Sequence, residues 1–270
     1  MRSFVNIIVC IKQVPGVTDV KINPETNTLI REGVSSIINP FDMYAIEEGL
    51  RIKEKFGGKV KVISLGPPQS INALKEAVGM GVDEAIQLSD VAFAGSDSWA
   101  TAYTLALAIK KMGIFDIILC GKQAIDGDTG QVGPGIASQL NITQLTYVFK
   151  IVKLEPVSGT ITVERLLEEG REIVEAKLPV LLTVVKDINQ PRAATLFHIR
   201  RAARLKIPLW TAADLPEADP LKLGLAGSPT KVIKISSPPK REGLLDLIKT
   251  DSVEHSAAML ADKIIAEKIL

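Results

Sequence analysis

Three short apolar runs, VNIIVCI (5–11), KVKVISLG (59–66) and DIILCG (116–121), are separated by segments with helical periodicity. Runs of this kind suit strands covered on both faces of a parallel sheet. Between them, Ile46 and Leu50 share one face of a helix over 41–56 whose other face carries Glu47, Lys53 and Glu54. Asn39 and Pro40 supply its start signal, an amide at the N-cap and a proline at the first helical position. Ile71, Leu74 and Val78 mark a second helix. Trp99, Ala102, Leu105, Ile109 and Met112 mark a third, closed by Gly113, and Val132, Ile136 and Leu140 mark a fourth. Strand–helix alternation with right-handed crossovers predicts an α/β fold: a doubly wound, mainly parallel, Rossmann-like sheet. Ligands of such sheets lie beyond the carboxyl ends of the strands, which directs attention to the residues just after Ile11, Leu65 and Cys120.

Past residue 145 the pattern changes. TYVFKIVKLE, TITVERL and REIVEAKL alternate, Gly159 and Gly170 punctuate them, and PVLLTVV is again continuous. This predicts an antiparallel meander added to the sheet. From Ile207 onward six of the fifteen prolines accumulate (208, 216, 220, 229, 238, 239), and the last amphipathic stretch aligns Val253, Ala257, Leu260 and Ile264. The expected division is a nucleotide-binding α/β domain over 1–206 and an extended C-terminal arm and helix over 207–270 that lies on a partner.

Composition excludes several classes. Lys and Arg total 32 against 31 Asp and Glu, a net charge of +1, which argues against a nucleic-acid binder or a membrane-surface protein. Two cysteines and two histidines cannot make a disulfide framework or a four-ligand zinc site. The apolar run at the start is too short for a signal sequence or a membrane span, so no membrane insertion and a cytoplasmic location are expected.

The densest chemistry is CGKQAIDGDTGQVGPGIASQL (120–140), between a strand and a helix. Gly127, Gly130, Gly133 and Gly135 would let the backbone turn sharply and approach a ligand. Thr129, Gly130 and Gln131 would present amides at a helix N-terminus, a site for a phosphate or pyrophosphate. The loop is neither a Walker A motif nor a GxGxxG fingerprint. Cys10, Ser64 to Pro67, and Asn39-Pro40-Phe41-Asp42 point to the same edge, and Cys10 and Cys120 read as small packing residues. Asp126 and Asp128 read as solvated loop carboxylates or cap acceptors. No nucleophile–base constellation is present, and His198 and His255 read as surface residues. The residues point to cofactor binding without side-chain catalysis.

PRAATLFHIRRAARLK (191–206) has five basic residues and no acid. The apolar pair Leu196-Phe197 ahead of Arg200 and Arg204 suggests a protein-docking anchor with a charged rim.

These segments together resemble the small (beta) subunit of electron-transfer flavoproteins over nearly the whole chain. The matching motifs are VCIKQVP, INPFDMYAIEEGLRIKE (38–54), SLGPPQ (64–69), CGKQAIDGDTGQVGP (120–134), VERLLEEGREIVEAKLPVLLTV (163–184) and PRAATLFHIRRAARLK. One departure is Glu168-Glu169-Gly170, where many members carry Asp-Gly-Gly at a hairpin tip. The resemblance implies a heterodimer with an alpha subunit. It also implies a nucleotide site at Cys10, Asn39, Pro40, Phe41, Asp42, Leu65, Gly121, Lys122, Gln123, Asp126, Gly127, Asp128, Thr129, Gly130, Gln131 and Val132. In simple electron carriers that site holds AMP; in electron-bifurcating members it holds a second FAD. The loop DGDTGQVGP is similar to the bifurcating form, with Thr129 and Gly130 where simple carriers have bulkier residues. Implied with it are NADH as donor, and an acyl-CoA dehydrogenase-type flavoenzyme and ferredoxin or flavodoxin as acceptors. Leu196 would be the docking anchor. A stand-alone nucleotide-binding module is the reading of another class.

Overall fold

The computed structural model describes residues 4–16, 22–23, 28–29, 36–233 and 247–267. β1 (Ile7–Cys10) opens the chain's main sheet. Four short strands follow, β2 (Gln13–Pro15), β3 (Ile22–Asn23), β4 (Thr28–Leu29) and β5 (Ser36–Ile38); β2 pairs with β5 and β3 with β4, both antiparallel. Alternation then sets in with α1 (Pro40–Phe56), β6 (Val60–Leu65), α2 (Ile71–Met80), β7 (Glu84–Leu88), α3 (Ser98–Met112), β8 (Ile117–Gly121) and α4 (Val132–Leu140). Next come β9 (Thr143–Glu155), β10 (Thr160–Leu167), β11 (Gly170–Lys177) and β12 (Val180–Val184). α5 (Leu196–Arg204), β13 (Leu209–Trp210) and α6 (Val253–Ala266) complete the order.

The main sheet has nine strands in the order β11-β10-β9-β12-β8-β1-β6-β7-β13. β1 is central and pairs in parallel with β6 on one side and β8 on the other. The chain winds outward from β1 through β6 and β7, then returns to place β8 on β1's other side. The point of reversal, between β1 and β8, is where such a sheet opens a crevice for ligands.

Successive residues of β1 feed opposite layers. Ile7 and Val9 pack with Ile46 and Leu50 of α1 and Leu74 and Val78 of α2. Ile8 and Cys10 pack with Leu105 and Ile109 of α3 and Ile136 of α4. All of these are buried, each aliphatic side chain contributing about 1.5–3 kcal/mol. The meander is antiparallel, as its alternation implies: β10 lies between β9 and β11, and β9 joins β12 in parallel. Glu168 and Glu169 lie at the β10–β11 hairpin tip, between the paired Leu167 and Gly170.

Three local details differ from the sequence-based expectations. β7, EAIQL, has no counterpart among the expected strands, because Glu84 and Gln87 interrupt its apolar signal; its partner strands and Ala85, Ile86 and Leu88 still bury it. Asn39 stands at the N-cap of α1 but its side chain makes no cap bond. Gly133 and Gly135 face protein, since a Cβ at each would lie 2.6 Å from Thr183 Cγ2 and 2.7 Å from Ala102 Cβ. They let α4 press against β12 and α3 and do not line a ligand path.

By its contacts the chain separates into one unit over Met1–Ile233 and another over Lys234–Leu270. Residues 207–233 therefore pack with the sheet instead of starting an arm at 207. β13 adds to β7, and Leu215 and Leu223 are buried in the α3–α4 layer. Pro238 and Pro239 lie outside the described residues. Within the second unit, Ser252 caps α6 by accepting from His255 N at 3.1 Å, and Val253, Leu260 and Ile265 are exposed. We expect a chain ending at Ile233 to fold with a melting temperature within about 4 °C of the parent, equivalent to roughly 1 kcal/mol at this size. Loss of the cooperative transition in that chain would show that the second unit is needed to fold the first.

Candidate functional site

The site is built where β1 and β8 end. The two strands run in register, so Cys10 and Cys120 are directly opposite. Both are free, buried thiols. A hydrogen bond with Cys10, together with burial, holds the Cys120 thiol well above its ordinary pKa, so it stays neutral.

One residue ties the two strand ends together. Asp42, in the first turn of α1 and 6% exposed, accepts from Lys12 N at 2.7 Å through Oδ2 and from Gly121 N at 3.1 Å through Oδ1. Gly121 is needed for this approach, because a Cβ there would sit 2.4 Å from Asp42 Oδ1. Burial pushes the Asp42 carboxyl up to about 7, against the lowering effect of the bonds from Lys12 N, Asn39 and Gly121 N.

Asn39 does the corresponding work for the next stretch of loop. Its Nδ2 donates to Gln123 O at 2.9 Å, and its Oδ1 accepts from Ile125 N at 3.1 Å. This explains the missing cap bond: the amide is spent on residues 123–125. Lys12 then reaches across to Asp126, with Nζ at 2.6 and 2.8 Å from the two carboxylate oxygens. Lys122 N donates to Val184 O at 2.8 Å, and its ammonium lies over the Tyr147 ring, 5.0 Å from the centroid.

The loop then turns. Asp128 has φ of +54°, its amide donates to Ala124 O at 2.8 Å, and its carboxylate accepts from Gln123 Nε2. It is neither a cap of α4 nor an open donor. Gly130 follows with φ of +62°, and a Cβ there would meet only Lys122 O, at 3.6 Å. Gln131 N is occupied weakly by Thr129 Oγ1 at 3.4 Å, and the Gln131 side chain accepts from Ser98 Oγ at 2.6 Å. The amides of Thr129, Gly130, Val132 and Gly133 have no acceptor among the described residues. Pro134, in the first turn of α4, has no amide to satisfy. The outcome is a short arc of N–H groups without acceptors among the described residues, with open space at Gly127 and only Lys122 O near Gly130, at the positive end of a helix. It suits a phosphate or pyrophosphate.

The hydrogen bonds bring Asn39, Asp42, Gly121, Gln123, Asp126 and Asp128 into one cluster. Cys10 sits beneath it at the end of β1. Leu65 closes β6 on the same edge, and Pro40 and Phe41 are half-buried in the first turn of α1. Lys12, Ser98 and Tyr147 were not foreseen as part of this edge. Each depends on a partner far away in sequence. Tyr147 also has a φ of +57°, at a break in the β9–β12 register that no sequence pattern marks. Leu196 and Phe197 are not part of the cluster; they stand on α5, 74% and 75% exposed. His198, expected at the surface, is half-buried, with Nδ1 sealed from solvent and without a partner. Among the described residues no group of three or more His, Cys, Asp or Glu could hold a metal, and no helix is long and apolar enough to cross a membrane.

Residues 26–215 match the model of the electron transfer flavoprotein domain. The chain belongs to the electron transfer flavoprotein family. It is 56% identical over 234 residues to the electron transfer flavoprotein subunit beta of Thermoanaerobacterium thermosaccharolyticum, covering 86% of this chain and 88% of that protein. It is 49% identical to the subunit beta of Clostridium acetobutylicum, over 96% and 97% of the two chains. It is also 44% identical to protein FixA of Bradyrhizobium diazoefficiens, over 95% and 90%. Membership at this level makes it a beta-type subunit, one that works with an alpha subunit and binds a flavin or nucleotide.

The position of Asp42 has a measurable consequence. Its carboxyl holds a proton up to about pH 7 in the folded chain and titrates near 3.8 when unfolded. Between these values the folded state binds the extra proton, so raising the pH costs stability, by up to about 1.4 kcal/mol per pH unit. Below the lower value and above the upper one the contribution is flat. In chemical unfolding series at successive pH values, the stability of the parent minus that of Asp42→Asn should therefore fall from pH 4 to pH 7. A difference independent of pH across that window would refute the buried-acid assignment.

Proposed function

We propose that this subunit, with its alpha partner, holds FAD in the cradle at Thr129–Val132. The complex then takes electrons from NADH and passes them to an acyl-CoA dehydrogenase-type flavoenzyme and to ferredoxin or flavodoxin. The observation that carries the reading is the open arc of amides around Gly130, at the point where the sheet reverses direction. A bound flavin supplies the one- and two-electron chemistry. The chain's own residues hold and shape the site. Asp42 fixes the spacing of the two strand ends, Asn39 and the Lys12–Asp126 pair hold the loop, and the amides of Thr129, Gly130 and Val132 meet phosphate oxygens.

Thr129 and Gly130 favour FAD over AMP at this position. They leave the space above the amides free, where a larger side chain at 130 would stand over the pyrophosphate. The exposed apolar residues of α6 support assembly of the C-terminal unit on the alpha subunit. The two free thiols fit a reducing compartment, and a cytoplasmic location belongs to the same proposal.

Cofactor analysis of the purified complex tests the site. FAD in this subunit gives two FAD per heterodimer, whereas one FAD and one AMP would replace the proposal with a simple carrier. Gly130→Val should lower the second FAD below half occupancy, since a β-branched residue is strained at positive φ and fills the cradle. Full occupancy in that variant would place the flavin elsewhere.

The partner surface is tested separately. Leu196 is exposed ahead of the exposed Arg200 and Arg204, the arrangement of an apolar anchor with a charged rim. Leu196→Ala should cost at least ~2 kcal/mol of docking, roughly 30-fold in affinity for the dehydrogenase-type acceptor, with melting temperature and cofactor content unchanged. A lowered melting temperature with acceptor affinity unchanged would show a packing role instead.

A further inference from the structure

The segment carrying Leu196 and Phe197 is exposed at its tip but fastened at its base. At position 189, Asn189 Nδ2 donates to Tyr44 O and to Glu48 Oε2, both at 3.0 Å. Three residues on, Arg192 makes the densest ion network in the described chain. Its backbone N donates to Glu47 Oε2 at 3.1 Å, Nε donates to the same oxygen at 2.8 Å, and Nη2 donates to Glu47 Oε1 at 3.1 Å. The guanidinium also bonds to Glu54, through Nη1 and, at 3.1 Å, through Nη2. Glu47 is buried on α1 and takes a further bond from Arg51 Nε at 2.8 Å. Bonds from Arg192 and Arg51 hold the Glu47 carboxyl below its ordinary range even though burial alone would raise it.

Beyond Arg192 the segment lies down on α2. A Cβ at Gly79 would lie 3.4 Å from Ala194 Cβ and 3.8 Å from Ile199 Cγ1, so glycine gives α5 a flat surface to rest on. Gly81 has φ of +123°, and a Cβ there would lie 3.3 Å from His198 Cε1. Thr195 caps α5 by accepting from His198 N, Arg201 Nη2 donates to Asp83 O, and Ala202 is buried. The neighbours Leu196 and Phe197 stay out in solvent.

We propose that Arg192 is a positioning residue for partner docking. Its bonds to Glu47 and Glu54 form a latch that holds the Leu196–Phe197 pair in the docking-ready position before any acceptor arrives. The inference rests on the docking reading of Leu196 given above. Arginine suits the task because its planar fork presents separate N–H groups to both carboxylates in fixed directions, whereas a lysine ammonium offers three donors from a single rotating atom. Without Arg192 the start of the segment would be held only by Asn189 and by the packing of α5 on α2, and Leu196 and Phe197 at its N-terminal end would sample more positions. An acceptor would then bind only the fraction correctly placed, and its apparent Kd would rise by the inverse of that fraction. A latch that keeps the segment nearly always in place, and whose removal leaves it there about a tenth of the time, makes that change about tenfold.

The test uses the complete complex with its alpha partner, carrying Arg192→Met, Arg192→Lys, Leu196→Ala, or Arg192→Met with Leu196→Ala. Two electron acceptors are compared: an acyl-CoA dehydrogenase, which must dock, and a small tetrazolium dye, which need not. Arg192→Met should raise the KM for the dehydrogenase about tenfold while kcat, dye reduction and cofactor content stay at parent values. Arg192→Lys should fall between the two. The double variant should be no worse than Leu196→Ala alone, because a latch that acts through Leu196 has nothing left to position. Should Arg192→Met fail to assemble, Glu54→Gln loosens the same fork from its exposed side and should raise KM in the same direction.

The two readings fail differently. An unchanged KM in Leu196→Ala removes the docking reading and the latch with it. A raised KM in Leu196→Ala beside an unchanged KM in Arg192→Met keeps the anchor and overturns the latch. Additive losses in the double variant, or dye reduction falling together with dehydrogenase reduction, would make Arg192 a general structural residue and would also overturn it.

Discussion

The Asp42 carboxylate receives one hydrogen bond from each of two loops that leave opposite sides of the sheet's reversal point. The first residues after β1 and the end of β8 are tied together by this one group. Lys12 is placed by it through the backbone and is then free to pair with Asp126 through its side chain. Gly121 is placed by it and delivers the chain into the loop that Asn39 holds. Burial raises the Asp42 carboxyl toward neutral pH, and the backbone amides of Lys12 and Gly121 offset part of that cost. The arrangement is therefore cooperative: the acid needs the two amides and the amides need the acid.

How far the sequence revealed this depended on whether a signal was local. β1, β6 and β8 stood out because strands buried on both faces leave unbroken apolar runs. α1 to α4 stood out because each has a one-sided stripe. β7 did not, since Glu84 and Gln87 dilute its pattern; Gln87 is buried with its Nε2 donating to Pro67 O, Pro68 O and Ser70 Oγ, a set of bonds no linear pattern announces. Gly133 and Gly135 looked like loop glycines because composition cannot tell a ligand from a neighbouring helix. Residues 207–233 looked like an arm because their few apolar residues are scattered. Leu215 and Leu223 still reach the α3–α4 layer, and Asp97 holds the end of the segment by accepting from Thr230 N and Oγ1.

The amide arc at the start of α4 and the exposed apolar pair on α5 are built by different means. The nucleotide edge relies on backbone groups, positioned by one buried acid and one amide, so its recognition is insensitive to most surface side chains. The exposed pair is an apolar side-chain surface, held by charge at its base with glycine beneath. On the proposed reading, changes in partner preference could accumulate at residues 196–204 without disturbing the amides at 129–132. That separation suits a subunit whose relatives include proteins named both as electron transfer flavoprotein subunits and as FixA.

The central place of β1 also bears on how the chain must be made. β1 is complete after residue 10, yet its neighbour β8 begins only at Ile117 and β12, which covers β8, only at Val180. During synthesis the β6 edge partner is complete by Leu65, so β1 would keep its β8 edge open over the stretch from there to Ile117. Sheets whose central contacts are this distant in sequence fold slowly and leave sticky edges exposed meanwhile. The open edge of β1 thus belongs to the period of synthesis, and the arrival of β8 closes it.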